Sequence, residues 1–184
     1  MAAQTARRSP NLETFVEDFE GRLVALARTH DVLTAQAWSG AELREVLMSE
    51  LSVFADRVRL EGPPVRLDAT QALAVGLIAH ELATNAVKYG ALSTPRGHVE
   101  VSWSKSHSPR EFTIRWVERG GPLVTIPTHR GFGRRLIEKL TAGDLQGALD
   151  MRFEPDGLVA SLRAPLAAAE RTARASSLRR QRAG

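Results

Sequence analysis

One helical pattern in this 184-residue chain begins at Ala69 and ends before Gly90, and it constrains the fold more than any other stretch. Asp68 precedes it as an N-cap residue, with Gln71 at the third helical position, which is the pairing of a capping box. Glycine commonly follows the last turn of a helix. Apolar residues recur at the helical period and predict one buried stripe: Leu73, Leu77, Leu82 and Ala86.

The polar residues of this helix also share a face, because side chains three and four positions apart are neighbours. Glu81, Asn85 and Lys88 therefore project together. An amide oxygen can bind Mg²⁺, a carboxylate can accept a proton or orient water, and an ammonium group can meet phosphate charge. These three side chains suit a metal-bound polyphosphate. The alternative is a solvated polar face of the helix, and three such residues by themselves favour that alternative.

Alternating polar and apolar residues predict strands on both sides of this helix. The predicted strands are Arg57–Leu60, Val65–Leu67, Val99–Lys105, Phe112–Glu118, Leu145–Phe153 and Leu158–Ala164. The last two would form a hairpin around Pro155-Asp156-Gly157. Helical periodicity predicts further helices from Leu12 to Leu33, from a cap at Ser39 (with Glu42 completing a capping box) to about Phe54, and from Arg134 to about Ala142.

This order of elements favours an α/β two-layer sandwich, with a mixed, largely antiparallel sheet, helices on one face and a short helical segment in front. We expect a disordered N-terminus at 1–10, a helical region at 11–55, the sandwich at 56–166 and a disordered basic tail at 167–184. From Arg163 onward the chain carries six arginines and one acidic residue, so the formal charge of +4 describes the tail. The body is near neutral, and we expect no nucleic-acid partner.

The chain contains no cysteine and 43% hydrophobic residues, without a run long enough to span a bilayer or a secretory signal near Met1. We therefore expect a cytoplasmic protein without a membrane segment.

Two glycine-rich stretches follow the central helix. Trp116 and Glu118 share one face at a strand exit, before Gly120 and Gly121. A carboxylate there can accept a hydrogen bond from an adenine amino group, and glycines let a ligand approach the backbone. The segment Gly131-Phe132-Gly133 opens a helix, whose free N–H groups can receive phosphate. Ordinary turns are the alternative at both places.

Taken in order, these motifs resemble the ATP-binding domain shared by histidine kinases, type II topoisomerases, Hsp90 chaperones and mismatch-repair ATPases, the Bergerat or GHKL fold. The residues of these motifs are similar to those of the HWE histidine kinases, which are named for a histidine in the first conserved box and a Trp-x-Glu in the second. Here these are His80, Trp116 and Glu118, and Arg130-Gly131-Phe132-Gly133 matches the final glycine box. The resemblance extends from about Phe15 to Leu166.

The resemblance implies ATP and Mg²⁺ as ligands. Asn85 would bind the metal, and Glu81 lies where related ATPases keep a catalytic carboxylate, so these two form the predicted catalytic pair. Other residues would contact the nucleotide or shape the pocket and its lid (Pro122 to Arg130): Lys88, Tyr89, Glu118, Gly120, Gly121, Gly131 and Gly133. His80 and Trp116 are equally well explained as packing residues.

One part of the family pattern is missing. Such kinases phosphorylate a histidine in a His-Arg-x-x-Asn setting, and none of the five histidines here has it. We therefore expect a bacterial two-component histidine-kinase catalytic domain that lacks the phosphoacceptor helix, as a fragment, a truncated gene product or a stand-alone module. It would phosphorylate a histidine of another segment or chain and serve a response regulator or phosphotransfer protein. Whether the protein forms a homodimer is left open by the sequence. The alternatives are a nucleotide-binding interaction module without phosphotransfer, and a plain ATPase.

Overall fold

The computed structural model describes residues 12–36, 40–123 and 131–166. In chain order its elements are α1 (Leu12–Ala35), β1 (Ala41–Glu42), α2 (Leu43–Leu51), β2 (Val58–Glu61), β3 (Arg66–Leu67), α3 (Ala69–Lys88), β4 (His98–His107), β5 (Arg110–Arg119), α4 (Phe132–Ala142), β6 (Ala148–Glu154) and β7 (Gly157–Pro165). Short 3₁₀ turns follow α2 at Ser52–Phe54 and α3 at Ala91–Ser93.

Five strands form the main sheet in the order β2-β4-β5-β7-β6. Strand β2 runs parallel to β4, and the other neighbours are antiparallel. The predicted hairpin is confirmed, with Glu154 opposite Gly157 and a positive φ of 148° at Gly157, where a side chain would be strained.

The helices cover one face of this sheet. Apolar side chains from α2 and α3 meet the inward residues of four strands around a small apolar cavity, lined among others by Leu47, Val75, Ile78, Leu82, Val101, Ile114 and Trp116. Helix α4 adds Leu136, Ile137 and Leu140 to the same core. The predicted two-layer α/β sandwich is therefore confirmed, as is the helical segment in front of it.

Helix α1 packs against α3 through two close approaches at glycine. A side chain at Gly76 would collide with Thr29, and one at Gly21 would contact the His80 ring. Because both positions lack a Cβ, α1 lies directly on the helix that carries the predicted catalytic pair. No helix in the described ranges is both long and apolar enough to cross a membrane.

The structure corrects one local prediction. Helix α2 begins at Leu43, with Glu42 as its N-cap and no side-chain cap bond, so the capping box predicted for Glu42 is wrong; Ser39 lies outside the described residues. The reason is that the Leu43 N–H donates to the Val65 carbonyl at 2.8 Å, next to the β1–β3 ladder. The predicted capping box of Asp68 and Gln71 on α3 is confirmed.

The two short strands predicted at Arg57–Leu60 and Val65–Leu67 are present as β2 and β3. They join different sheets, because β2 pairs with β4 in the main sheet and β3 pairs with β1.

Candidate nucleotide-binding site

A cavity of about 330 Å³ lies between α1, the C-terminal half of α3 and the start of α4. It brings together much of the predicted site, and its lining is Gly21, Arg22, His80, Glu81, Thr84, Asn85, Lys88, Tyr89, Gly131, Phe132 and Gly133. Five of the predicted ligand-binding residues and the carboxylate Glu81 therefore face a common space. Glu118, Gly120 and Gly121 are not among the lining residues.

Glu81 is buried in the cavity wall and paired with an arginine from α1. Arg22 Nε donates to Glu81 Oε1 at 2.6 Å, and Arg22 Nη2 donates to Glu81 Oε2 at 3.2 Å. The guanidinium carbon also lies 4.5 Å from the centre of the Phe132 ring. This forked contact joins the lead-in helix to both walls of the cavity, because Phe132 belongs to α4.

Gly133 lies against the same carboxylate. A Cβ built at Gly133 would collide with Glu81 Oε2 and would lie 3.8 Å from the Asn85 side-chain nitrogen. The absence of a side chain therefore lets the first turn of α4 approach both members of the predicted catalytic pair.

Asn85 lies one helical turn after Glu81 and is half-buried, whereas Lys88 and Tyr89 are exposed at the rim, with 74% of Tyr89 accessible. Opposite them, Gly131 caps α4 in an extended conformation, and the helix N-terminus faces the cavity. The N-terminal N–H groups and the helix dipole favour an anion at that position. The cavity thus joins an anion-binding helix start to the asparagine and lysine of α3.

The donors suit a metal only in part. Within the described residues, no cluster of three or more His, Cys, Asp or Glu side chains is placed to hold a metal ion. Magnesium often takes only one or two protein ligands and completes its octahedron with phosphates and water. The amide of Asn85 therefore fits an ion carried by a polyphosphate, and it does not fit an all-protein metal centre.

Glu118 occupies a separate, closed place below the end of α3. It is 2% exposed; Oε2 accepts from the Ala91 N–H at 2.8 Å and Oε1 from Trp116 Nε1 at 3.2 Å. Burial raises the pKa of Glu118, and these two hydrogen bonds oppose that change. A Cβ at Gly90 would collide with Oε2, so the carboxylate touches the helix end beside Tyr89. Contact with adenine stays a prediction for Glu118.

The two glycines after Glu118 shape the same corner. Gly120 has a positive φ of 70°, and a Cβ at Gly121 would lie 2.9 Å from the Ala91 Cα. They let the chain turn tightly over the 3₁₀ turn at Ala91–Ser93. The proposed lid is described only as far as Leu123, so its remainder, 124–130, lies outside the described residues.

Next to His80, the structure shows two charged residues, Glu50 and Arg28, that the sequence did not place there. His80 Nδ1 lies 3.4 Å from Glu50 Oε2, and Arg28 approaches the same oxygen at 3.6 Å. The Glu50 side chain is fully buried. The sequence predicted neither Arg22 in the cavity lining nor Glu50 beside His80. Packing between helices that are distant in sequence brings each residue to its place, and no local motif marks either one.

Solved structures of other proteins share this fold. The histidine kinase domain of the Erythrobacter litoralis EL346 blue-light activated histidine kinase superposes with a TM-score of 0.66 at 16% identity, covering 90% of this chain and 93% of that one. The catalytic domain of histidine kinase ThkA gives 0.53 at 14% identity, over 68% and 94%. The chain has the fold of a histidine kinase catalytic domain.

Sequence relatives narrow this class. Residues 1–64 match the model of the HWE histidine kinase family. A blue-light-activated histidine kinase of Brucella anthropi is 41% identical over 174 residues, or 91% of this chain and 35% of that protein. Its counterpart in Brucella ovis is 36% identical over 172 residues, or 90% and 35%. The predicted resemblance to the HWE histidine kinases is confirmed, and the chain spans about a third of the length of these relatives.

Proposed function

We propose that this chain is the ATP-dependent catalytic domain of a bacterial two-component histidine kinase, which transfers the γ-phosphate of Mg·ATP to a histidine. The observation that carries the proposal is the placement of Glu81 and Asn85 on one wall of a 330 Å³ cavity, opposite the glycine-bounded start of α4. The relatives, named as histidine kinases, support the same reaction.

Each wall of the cavity contributes one part of the chemistry. Asn85 would hold the metal ion that neutralises phosphate charge, and Lys88 would add a cation at the rim. The N-terminal N–H groups of α4 would bind phosphate oxygens. Phosphoryl transfer needs mainly such positioning and charge neutralisation, with the attacking nitrogen in line with the leaving oxygen.

We further propose that the adenine lies towards the Tyr89 end of the cavity. Gly90 contacts Glu118 directly, so a small shift of the Ala91–Ser93 turn would bring that carboxylate to the base. Gly120 and Gly121 would permit the shift.

The acceptor histidine would belong to another segment or another chain, since none of the five histidines has the His-Arg-x-x-Asn setting. A response regulator or a phosphotransfer protein would then receive the phosphate.

Calorimetric titration with Mg·ATP tests the pocket. Asn85→Ala should abolish nucleotide turnover and weaken binding by about tenfold or more, with helix α3 intact by circular dichroism. Val87→Ala is the matched control, because Val87 is an exposed residue of the same helical turn that is not part of the lining. ATP-dependent phosphorylation that persists in Asn85→Ala would overturn the assignment of Asn85.

Labelled ATP separates the candidate functions. The protein is incubated with γ-labelled ATP, alone and with a histidine kinase chain that supplies an acceptor helix. Label on the acceptor chain supports the kinase. Nucleotide binding without label on either chain favours the interaction module, and phosphate release without any phosphoprotein favours a plain ATPase.

A further inference from the structure

Arg22 forms an ion pair with Glu81, the carboxylate that faces the candidate nucleotide-binding cavity. Glu81 is the one acidic residue among the described residues that line the cavity. Both of its oxygens accept hydrogen bonds from the Arg22 guanidinium, and the side chains are 11% and 6% exposed for Arg22 and Glu81. The pair is therefore a closed, forked contact and not a loose surface ion pair.

We propose that Arg22 is a positioning residue that withholds Glu81 from water and so directs the γ-phosphate of bound ATP to a histidine instead of to hydrolysis. The inference rests on the proposed function and assigns it a further residue, on the lead-in helix α1.

The chemistry of the two acceptors differs at the attacking atom. In hydrolysis, the oxygen of water bonds to the γ-phosphorus, the bond from that phosphorus to the β–γ bridging oxygen breaks, and ADP leaves. The attacking water must also lose a proton, and a carboxylate in the cavity is the base available for it. A histidine nitrogen attacks with a free lone pair, so no proton has to leave the attacking atom.

The two hydrogen bonds from Arg22 occupy lone pairs on both oxygens of Glu81. Those lone pairs would otherwise accept the proton of the attacking water or orient it. Three further titratable groups line the cavity: His80 and Lys88 on α3, and Tyr89 at the end of α3. Helix α4 contributes Gly131, Phe132 and Gly133, which do not titrate.

The position of Arg22 depends on both helices around the cavity. Its guanidinium stacks on Phe132 of α4, and Gly133 leaves the space that Glu81 fills. The restraint on Glu81 is consequently built from α1 and from the same glycine-bounded helix start that would bind phosphate.

The test compares Arg22→Met with the unaltered protein. Methionine keeps an apolar side chain against Phe132 and removes the charge. The measurements are Mg·ATP affinity and phosphate release per bound nucleotide. Phosphate release should rise by about 10- to 100-fold in Arg22→Met, at similar nucleotide affinity.

The double variant Arg22→Met/Glu81→Gln identifies the base. It should return phosphate release to within about twofold of the unaltered protein. A rise that persists in the double variant would overturn the proposal, because another base would then be acting. Arg28→Met is the matched control: Arg28 also lies on α1 and faces a buried carboxylate, Glu50, outside the cavity lining, so its removal should leave phosphate release unchanged.

Two further measurements keep the test decisive. If Arg22→Met does not fold, Arg22→Lys retains a charge but loses the fork, and a rise of several-fold is expected. In the nucleotide-free protein, the melting temperatures of Arg22→Met, Glu81→Gln and the double variant form a cycle, in which the double variant should lose less than the sum of the single losses. Additive losses would overturn the ion pair itself.

The outcomes also separate this inference from the function on which it rests. Absence of Mg·ATP binding by the unaltered protein would overturn the proposed function and this inference together. Binding with phosphoryl transfer, but without a rise in phosphate release in Arg22→Met, would overturn the inference alone.

Discussion

Two buried carboxylates, Glu81 and Glu118, lie within this domain in contrasting surroundings. Glu81 accepts hydrogen bonds from a guanidinium of another helix. Glu118 accepts one from the backbone N–H of Ala91 and one from the indole N–H of Trp116 on its own strand. Glu81 faces the 330 Å³ cavity, and Glu118 lies outside its lining. The comparison shows two ways of holding a buried carboxylate: a charged side chain at a cavity wall for Glu81, and neutral N–H groups in a closed corner for Glu118.

The largest effect that we expect from this comparison is on stability at Glu118. Glu118→Ala should lower the free energy of unfolding by about 3 kcal/mol, because the Ala91 N–H and Trp116 Nε1 would each lose a buried acceptor. Urea denaturation measures the change. Glu100→Ala, at an exposed position on β4, is the control and should change it by less than about 0.5 kcal/mol. A small effect at Glu118 would mean that water replaces the carboxylate there.

Glu81→Gln should have a smaller effect on stability, about 1–2 kcal/mol. The amide keeps one acceptor for Arg22 but leaves a partly buried cation without its counter-charge. Glu138→Gln is the matched control, since its pair with Arg134 is about a third exposed, and we expect less than about 0.5 kcal/mol. If Glu81→Gln costs as much as Glu118→Ala, the contrast between the two sites fails.

The smallest expected effect is a pH dependence at Glu118. Because burial raises its pKa in the folded protein above the ordinary value of 4.5, the folded state holds this proton more tightly than the unfolded chain does. Its contribution to stability is therefore fully present below pH 4.5 and is lost as the pH rises through the folded-state pKa.

Urea denaturation of the unaltered protein and of Glu118→Gln, at pH 7 and at pH 5, measures this term. The unaltered protein should gain stability relative to the variant at the lower pH, and the comparison cancels the titration of other carboxylates. The opposite trend would show that the hydrogen bonds from Ala91 and Trp116 outweigh burial and lower the pKa.

Structural features that depend on neighbouring residues were predicted correctly from the sequence. The capping box of Asp68 and Gln71 and the turn before Gly157 involve residues that are close in sequence, and both are confirmed. The shared face of Glu81 and Asn85 follows from the helical period in the same way. The glycine-rich start of α4 was also predicted, because its signal is contained in three consecutive residues.

The error at α2 arose because a distant segment competed for the same backbone group. Leu43 donates its N–H to Val65, so α2 starts later than the capping pattern of Ser39 and Glu42 indicates. Long-range backbone pairing outweighed local preference there. The pairing of β2 with β4 spans the whole of α3, and no local pattern predicts it.

The sequence by itself determined the class of fold and one wall of the site, since helical period, caps and turns act over a few residues. Tertiary structure alone decided that Arg22 reaches Glu81, 59 residues away, and that Glu118 is closed in by Ala91, 27 residues away. Such contacts depend on how helices and strands pack against one another. That packing is set by buried surface and shape across the whole domain, and no short motif encodes it.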